Sequence, residues 1–305
     1  MSTILQDLDI KDFKVLLSPP AGAGVTTSDD TIRREIIKSL IYKKADFISV
    51  GTKIVGLETF DNLDIRYTFP SEAAVEYPVP EGAGADLTRV EWSDFGFQLK
   101  KAEGRFMITD EAMIRGVDRV QWQTSIRRLG ESMAATKDAN ILGTLAAGCS
   151  NTVAAAGATW ATATAANITT DVSATVNNLI SAQGIVDSDI GKIVFVVPVA
   201  SWAGLLRIQI IGTMQISMFD FLTKSYGITI LPSKYFTTTG MALIKGAETA
   251  IHGTLRPPAN IPLVEAFRHE GVGTEYVVRQ FFATTVIPES ETVATSDRVV
   301  CLTGI

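Results

Sequence analysis

Two cysteines and two histidines among 305 residues are too few for a disulfide framework, a histidine-rich metal centre or a choice of catalytic triads. Cys149 lies beside a turn and Cys301 in an apolar run, so the expectation is two reduced thiols. Long apolar runs are also missing: Ile193 to Val197 is typical of the longest, against the roughly 20 residues needed to cross a bilayer. Positions 1 to 17 carry Asp7, Asp9, Lys11 and Asp12 where a secretory signal needs a basic start and then an unbroken apolar stretch. The expectation is no membrane span and a chain made and kept in a cytoplasm. An excess of positive charge is lacking as well. With 27 basic and 33 acidic residues the net charge is −6, which opposes the summed basic field of a general nucleic-acid binder.

Motifs for chemistry fail on spacing. Gly184 to Gly191-Lys192 places six residues where a phosphate loop needs four, and Ile193 follows where Ser or Thr is required. Gly22-Ala23-Gly24 and Gly82-Ala83-Gly84 lack the third glycine and the strand-to-helix context of a dinucleotide site, and read as turns. No Gly-x-Ser-x-Gly elbow occurs. His252 follows an apolar run and His269 sits among charges, so both read as structural or surface residues. Asp29-Asp30 and Asp187 with Asp189 lack the spaced ligands of a calcium loop and read as caps or turns. Asn167-Ile168-Thr169 matches a glycosylation acceptor by chance in a cytoplasmic chain. An enzyme would have to be built from Asp187, Asp189 and His252 without a positioned nucleophile. The expectation is therefore no enzyme, no catalytic residues, no cofactor and no metal.

What is present is apolar mass, 46% hydrophobic residues against 20% charged, in a chain long enough for two lobes plus extensions. Residues 18 to 30 lack periodicity and favour turns, which makes the N-terminus an arm on a flexible stretch. A helix follows from about Asp30 to Ala45. Ile32, Ile36, Ile37, Leu40 and Ile41 form its apolar side, and Arg33, Arg34, Lys38, Lys43 and Lys44 its solvated basic side.

From Ile65 the apolar residues alternate through Tyr67, Phe69, Val75, Tyr77 and Val79, reach a Pro80-to-Gly84 turn, and resume with Val90, Trp92, Phe95, Phe97 and Leu99. This predicts one extended hairpin of about twenty residues per arm, with a bulge where the parity slips near Ser93 and Asp94. Two strands alone are marginal in water, so the ribbon needs a surface to lie on, and another subunit is one candidate.

No proline occurs between Pro80 and Pro198, which leaves room for a long helix. Thr109 is its N-cap, Asp110 and Glu111 its acidic first turn, and Gly148 its stop, with Met113, Val117, Val120, Trp122, Ile126, Leu129, Met133, Ile141 and Leu145 as its apolar stripe. Roughly 38 residues make a rod of about 55 Å. Gly116, Gly130 and Gly143 within it predict a bend or a close packing contact. Residues 150 to 166, small and uncharged, read as a connector at a domain boundary. Beyond it, Thr170 and Asp171 cap a helix whose apolar face is Val172, Val176, Leu179 and Ile180. A two-sided apolar strand at Ile193 to Val197 and a helix from Ser201 follow. Further strands fall at 228–231, 241–244, 249–251, 276–286 and 299–302.

This order of parts resembles the Hong Kong 97-type fold of tailed-virus major capsid proteins and of encapsulin shells. The resemblance implies an α+β protein with an N-terminal arm at 1–57, an extended β-hairpin loop at 58–101, and a peripheral domain with its spine helix at 102–166. It further implies an axial domain at 167–263 and return strands of the peripheral domain at 264–305. Glu103 to Met113 resembles the strand that runs into the spine helix, and Tyr276 to Pro288 with Arg298 to Leu302 the closing strands. The implied function is self-assembly into pentamers and hexamers of an icosahedral shell around double-stranded DNA, held by weak non-specific contact. Intersubunit contacts would fall on Tyr67, Phe69, Tyr77, Pro80, Trp92 and Phe95 of the loop and Arg33 and Arg34 of the arm. A separate scaffolding protein, a portal and decoration proteins are the implied partners. The implied location is the virion, assembled in host cytoplasm. The alternative within the same fold is an encapsulin-type compartment enclosing cargo enzymes.

Overall fold

The computed structural model describes residues 27–70, 92–183, 191–210, 216–256, 263–287 and 295–305. The first element is helix α1 (Thr27–Ile48), which ends in a short 3-10 turn (Gly51–Lys53). Strand β1 (Val55–Phe60) follows, then β2 (Asp64–Pro70), β3 (Trp92–Gln98) and β4 (Lys100–Thr109). Thr109 is the N-cap expected of it, its hydroxyl accepting from the Ala112 amide at 3.3 Å. The helix it starts is short. Helix α2 (Asp110–Ile114) stops before Gly116, whose φ of +68° breaks the run, and the spine helix α3 (Asp118–Ala147) begins after it. The rod is thus 30 residues, about 45 Å, and the bend that the glycines predicted is a full break at the first of them.

Gly130 and Gly143 serve close packing instead. A Cβ on Gly130 would meet Lys44 of α1 at 2.9 Å, and one on Gly143 would meet the Tyr235 hydroxyl at 3.0 Å. Ile37, Leu40 and Ile41 of α1 and Trp122 and Ile126 of α3 close over Ile108, Val264, Tyr276 and Val278 of a long sheet, burying three residues of the apolar side read for α1.

That sheet is organised by β13 (Gly273–Val286), the longest strand among the described residues. Along one edge it pairs antiparallel with β4; along the other it pairs first with β12 (Val264–His269) and then with β11 (Gly246–Leu255). Strand β1 lies parallel to β11 at the outer end.

A second sheet runs in the order β5 (Cys149–Ala154), β14 (Ser296–Thr303), β10 (Thr239–Ile244), β6 (Ile193–Pro198), β9 (Thr229–Ser233). Strand β6 is buried along its whole length between β9 and β10, as a strand apolar on both faces requires. One face of this sheet packs on helices α4 (Ala165–Gln183), α5 (Val199–Arg207) and α6 (Met218–Ser225) through Ile168, Val172, Leu179, Leu205, Met218 and Leu222. A two-residue strand pair, β7 (Gln209–Ile210) and β8 (Ile216–Ser217), joins α5 to α6. The other face meets the long sheet. Val196, Met241, Leu243 and Val299 share a core with Ile141, Leu142 and Leu145 of α3 and with Ala250 and Val286 of the long sheet.

Several expectations are corrected here. Residues 150–166 are no bare connector: 149–154 form an edge strand, and Trp160 is fully buried with its indole N–H donating to Asp171. Asp171, expected to cap a helix beginning beside it, lies inside α4. It accepts instead from the Ala156 amide and Trp160, both at 2.8 Å, so it fastens the preceding segment to the helix. Ile180, assigned to the buried face of α4, is exposed. The expected bulge near Ser93 is absent, because β2 and β3 stay in continuous register from Asp64↔Gln98 to Pro70↔Trp92.

The strand pairing also divides the chain differently from the expected boundaries. Strand β11 belongs to the long sheet, and the two closing runs part company, β13 in one sheet and β14 in the other. Finally, Cys149 and Cys301 are not free thiols but form a disulfide. Parallel pairing of β14 beside β5 brings together residues 152 apart in sequence, a contact that no local pattern announces. Among the described residues no helix is long and apolar enough to cross a membrane.

Candidate assembly surfaces

The ribbon of β2 and β3 leaves the long sheet over an aromatic cluster. Ile65, Leu99 and Ala283 are buried there, with Phe60, Tyr67, Phe97, Leu255 and Phe281 packed around them. Tyr67 stacks on Phe97 at 6.3 Å between centroids, and Phe60 meets both rings edge-on at 6.2 and 6.0 Å. The Tyr67 hydroxyl donates to Glu58 Oε2 at 2.6 Å. Burial, then that hydrogen bond and the carboxylate charge, push its pKa above the usual tyrosine range, so it stays a donor. The surface on which the ribbon base lies is therefore the chain's own sheet.

Of the residues expected at intersubunit contacts, Tyr67 is the one whose side chain is described, and it is half-buried in this cluster. The backbones of Phe69, Trp92 and Phe95 are placed on β2 and β3, Phe95 opposite Tyr67, and those of Arg33 and Arg34 on α1; their side chains lie outside the description. Tyr77 and Pro80 lie outside the described residues, as does the rest of the hairpin tip.

A second surface was read as core. Val117 and Val120 sat in the apolar stripe of the spine, yet they are 44% and 62% exposed, and Ile114 beside them is 86% exposed. The break at Gly116 resets the helical phase, so the buried series begins at Trp122 and continues through Ile126, Met133 and Ile141. A signal was available: Val120 and Trp122 are two residues apart, a spacing that cannot lie on one helical face. The same end of the molecule exposes Val272 in the turn between β12 and β13, where its carbonyl accepts from the Asp110 amide. Glu111 with Arg115, and Asp110 with Arg268, form ion pairs around this aliphatic tip. Elsewhere Phe47 and Leu57 stand exposed, Phe47 covered in part by the Lys53 ammonium at 5.9 Å.

Of the residues considered for chemistry, the two histidines lie on different strands. His252 is buried on β11, and His269 is exposed beside Glu275 at 2.9 Å. Asp187 and Asp189 lie outside the described residues. Among the described residues no group of three or more His, Cys, Asp or Glu is placed to hold a metal ion.

A family model described as phage capsid protein matches residues 93–296, about two thirds of the chain. The chain belongs to that family. It is a structural protein of a virion shell, and its family is not one of enzymes. Solved structures agree on the fold. The virus-like particle from Pyrococcus furiosus aligns at TM-score 0.62 and 10% identity, covering 88% of this chain and 98% of that one. The capsid of Cyanophage P-SCSP1u aligns at 0.60 and 12% identity, covering 84% and 88%. The native GTA particle capsid aligns at 0.58 and 10% identity, covering 94% of each. No curated protein matches by sequence. The capsid protein thus has the Hong Kong 97-like α+β fold that the order of its parts resembles.

On the face of the long sheet away from α1 and α3, this capsid protein carries a connected ladder of charge. Glu103 accepts from Arg279, Arg105 and Lys101, which together hold its carboxyl down to about 2. Arg279 also pairs with Glu265, and Arg105 with Glu275. Each charge there has an opposite neighbour, so the face offers a register of alternating signs instead of a net field.

Proposed function

We infer that this capsid protein self-assembles into hexamers and pentamers that close an icosahedral shell around a double-stranded DNA genome. The observation that carries this reading is the exposed aliphatic tip, Ile114, Val117, Val120 and Val272, on a subunit whose own cores are already complete. A contact repeated in every copy buries such a patch at no cost to the fold. The long sheet with the spine helix forms the peripheral part, and the second sheet with α4 to α6 the axial part. The ribbon beyond its Tyr67 base reaches over neighbours through Phe69, Tyr77, Pro80, Trp92 and Phe95, and the arm through Arg33 and Arg34.

A net charge of −6 suits a wall that touches packaged DNA weakly, since each phosphate neutralised would strengthen and slow the contact. Assembly takes place in host cytoplasm, with a separate scaffolding protein, a portal and decoration proteins as partners. The test is negative-stain electron microscopy and analytical ultracentrifugation of the protein expressed alone and with a scaffolding candidate. Closed particles are the expected outcome; a monodisperse monomer or dimer under every condition would sink the reading. The near-complete coverage of the Pyrococcus furiosus particle's chain favours one second reading, an encapsulin-type compartment. Particles that hold protein cargo and no DNA would decide for it.

A further inference from the structure

Cys149 is the first residue past Gly148, the C-cap of the spine helix, and Cys301 lies within the closing strand β14. Their bond sits at the rim of the core that joins the two sheets, where Leu145 of α3, Val286 of β13 and Val299 of β14 meet. Between them β5 and β14 lose register: Ser296 pairs with Cys149, but Val300 already pairs with Asn151. The covalent link therefore spans the stretch where the ladder of hydrogen bonds is interrupted. Both cysteines are partly exposed residues in the folded subunit. They are 152 positions apart in sequence, so they meet only once β14 has returned beside β5.

We propose that the Cys149–Cys301 pair is a late covalent clamp on the joint between spine helix and closing strand. The chain folds and assembles with both thiols reduced, and the bond closes on the finished subunit by exchange with a small disulfide such as oxidised glutathione. The timing rests on the capsid reading, because a virion leaves a reducing cytoplasm for an oxidising exterior. One cysteine thiolate attacks a glutathione disulfide sulfur, forming a mixed disulfide and releasing one glutathione thiolate. The second cysteine thiolate attacks the protein sulfur of that mixed disulfide and releases the other glutathione. The two protein thiols lose two electrons and two protons; the glutathione disulfide gains them and becomes two thiols. Closing so long a loop restricts the unfolded chain and raises the melting midpoint by roughly 5–10 °C.

The experiment uses the full chain expressed in a reducing cytoplasm. Cells are lysed into N-ethylmaleimide, assembled and unassembled protein are separated by sedimentation, and intact masses are measured. Both cysteines are expected to be alkylated. A parallel sample, lysed without alkylation and incubated with oxidised glutathione, is expected to lose two hydrogens and to give one peptide pair bridged at Cys149 and Cys301. It should melt above the same protein kept in a phosphine reductant, whereas C149A and C301A should melt alike with and without oxidant. If the alanine variants fail to fold, the comparison of wild-type protein in oxidant and in reductant carries the test. A bridge already present after alkylating lysis overturns the late timing. Thiols that stay unbridged in oxidant overturn the pairing, and a bridge that leaves the melting midpoint unmoved overturns the clamp. The unassembled fraction gives the same readouts, so failure to form shells would count against the capsid reading and leave the clamp standing.

Discussion

Asp138, on the spine helix, gathers three donors from the segment that follows α1: the Ser49 hydroxyl at 2.6 Å and the Gly51 and Val50 amides at 2.8 and 3.2 Å. Next to it Lys137 is buried and ion-paired to Asp46 of α1. Asp138→Ala strands those donors in a half-buried place, and is expected to cost about 2–4 kcal/mol in urea unfolding of dispersed subunits. Two residues on, Asn140 accepts from the Thr284 hydroxyl, which has given its one proton and so accepts from His252 Nδ1 at 2.9 Å. His252 Nε2 is buried without a hydrogen-bond partner, and burial, helped by the Lys137 charge, lowers the histidine pKa to about 3. The unfolded chain takes that proton near pH 6.5 and the folded one only near 3, so the unfolded state binds more protons between these values. Stability therefore falls as pH drops below 6.5, by up to about 1.4 kcal/mol per unit. Glu103, held down to about 2, loses its contribution only as pH falls below the ordinary 4.5, which leaves pH 6.5 to 4.5 for His252. His252→Gln should flatten urea stability across that window; an unchanged slope would assign it to another group. None of these partnerships is visible in sequence, where Asp138 is a polar residue on a helix and His252 follows an apolar run.

Among the elements, the spine helix shows best how far local chemistry reaches. Thr109 and the acidic pair after it marked the helix start correctly, because a cap is satisfied within its own first turn. Gly116 was counted as one of three weak points, yet it alone takes a positive φ, and a Cβ there meets nothing within 4 Å. The position needs a left-handed backbone and not space. Gly116→Ala is expected to cost about 1 kcal/mol and Gly116→Asn distinctly less, since asparagine tolerates that conformation; thermal unfolding of both variants checks it. The ribbon teaches a complementary lesson. Alternation in its sequence was real, but the inferred bulge was a misreading of Trp92, whose place opposite Pro70 continues the register unbroken.

For the whole molecule, the exposed aliphatic tip is where fold and assembly meet. Ile114→Asp combined with Val120→Asp places two carboxylates in that patch without touching a buried side chain. The double variant should keep its circular dichroism and melting midpoint, and should abolish closed particles in the electron microscope. Particles of normal yield would move the interface elsewhere. The charged face of the long sheet is a less sensitive target, because exposed ion pairs of this kind contribute little singly.

The spine helix with its Thr109 start signal, the two-sided burial of β6 and the apolar side of the basic helix were determined by the sequence alone. Each rests on neighbours a few residues apart, where periodicity and turn chemistry act, and their order was enough to resemble a capsid fold. Tertiary structure alone decided which sheet each strand joins, that Asp171 serves Trp160 and not its own helix, and that Cys149 meets Cys301. It also turned Val117 and Val120 outward. The sheet assignments and the disulfide depend on pairings between separate strands, the Asp171 contact on how the segment before α4 folds back, and the outward turn of the valines on one backbone angle at Gly116. A short window of residues contains neither the partner across the sheet nor the helical phase beyond the break.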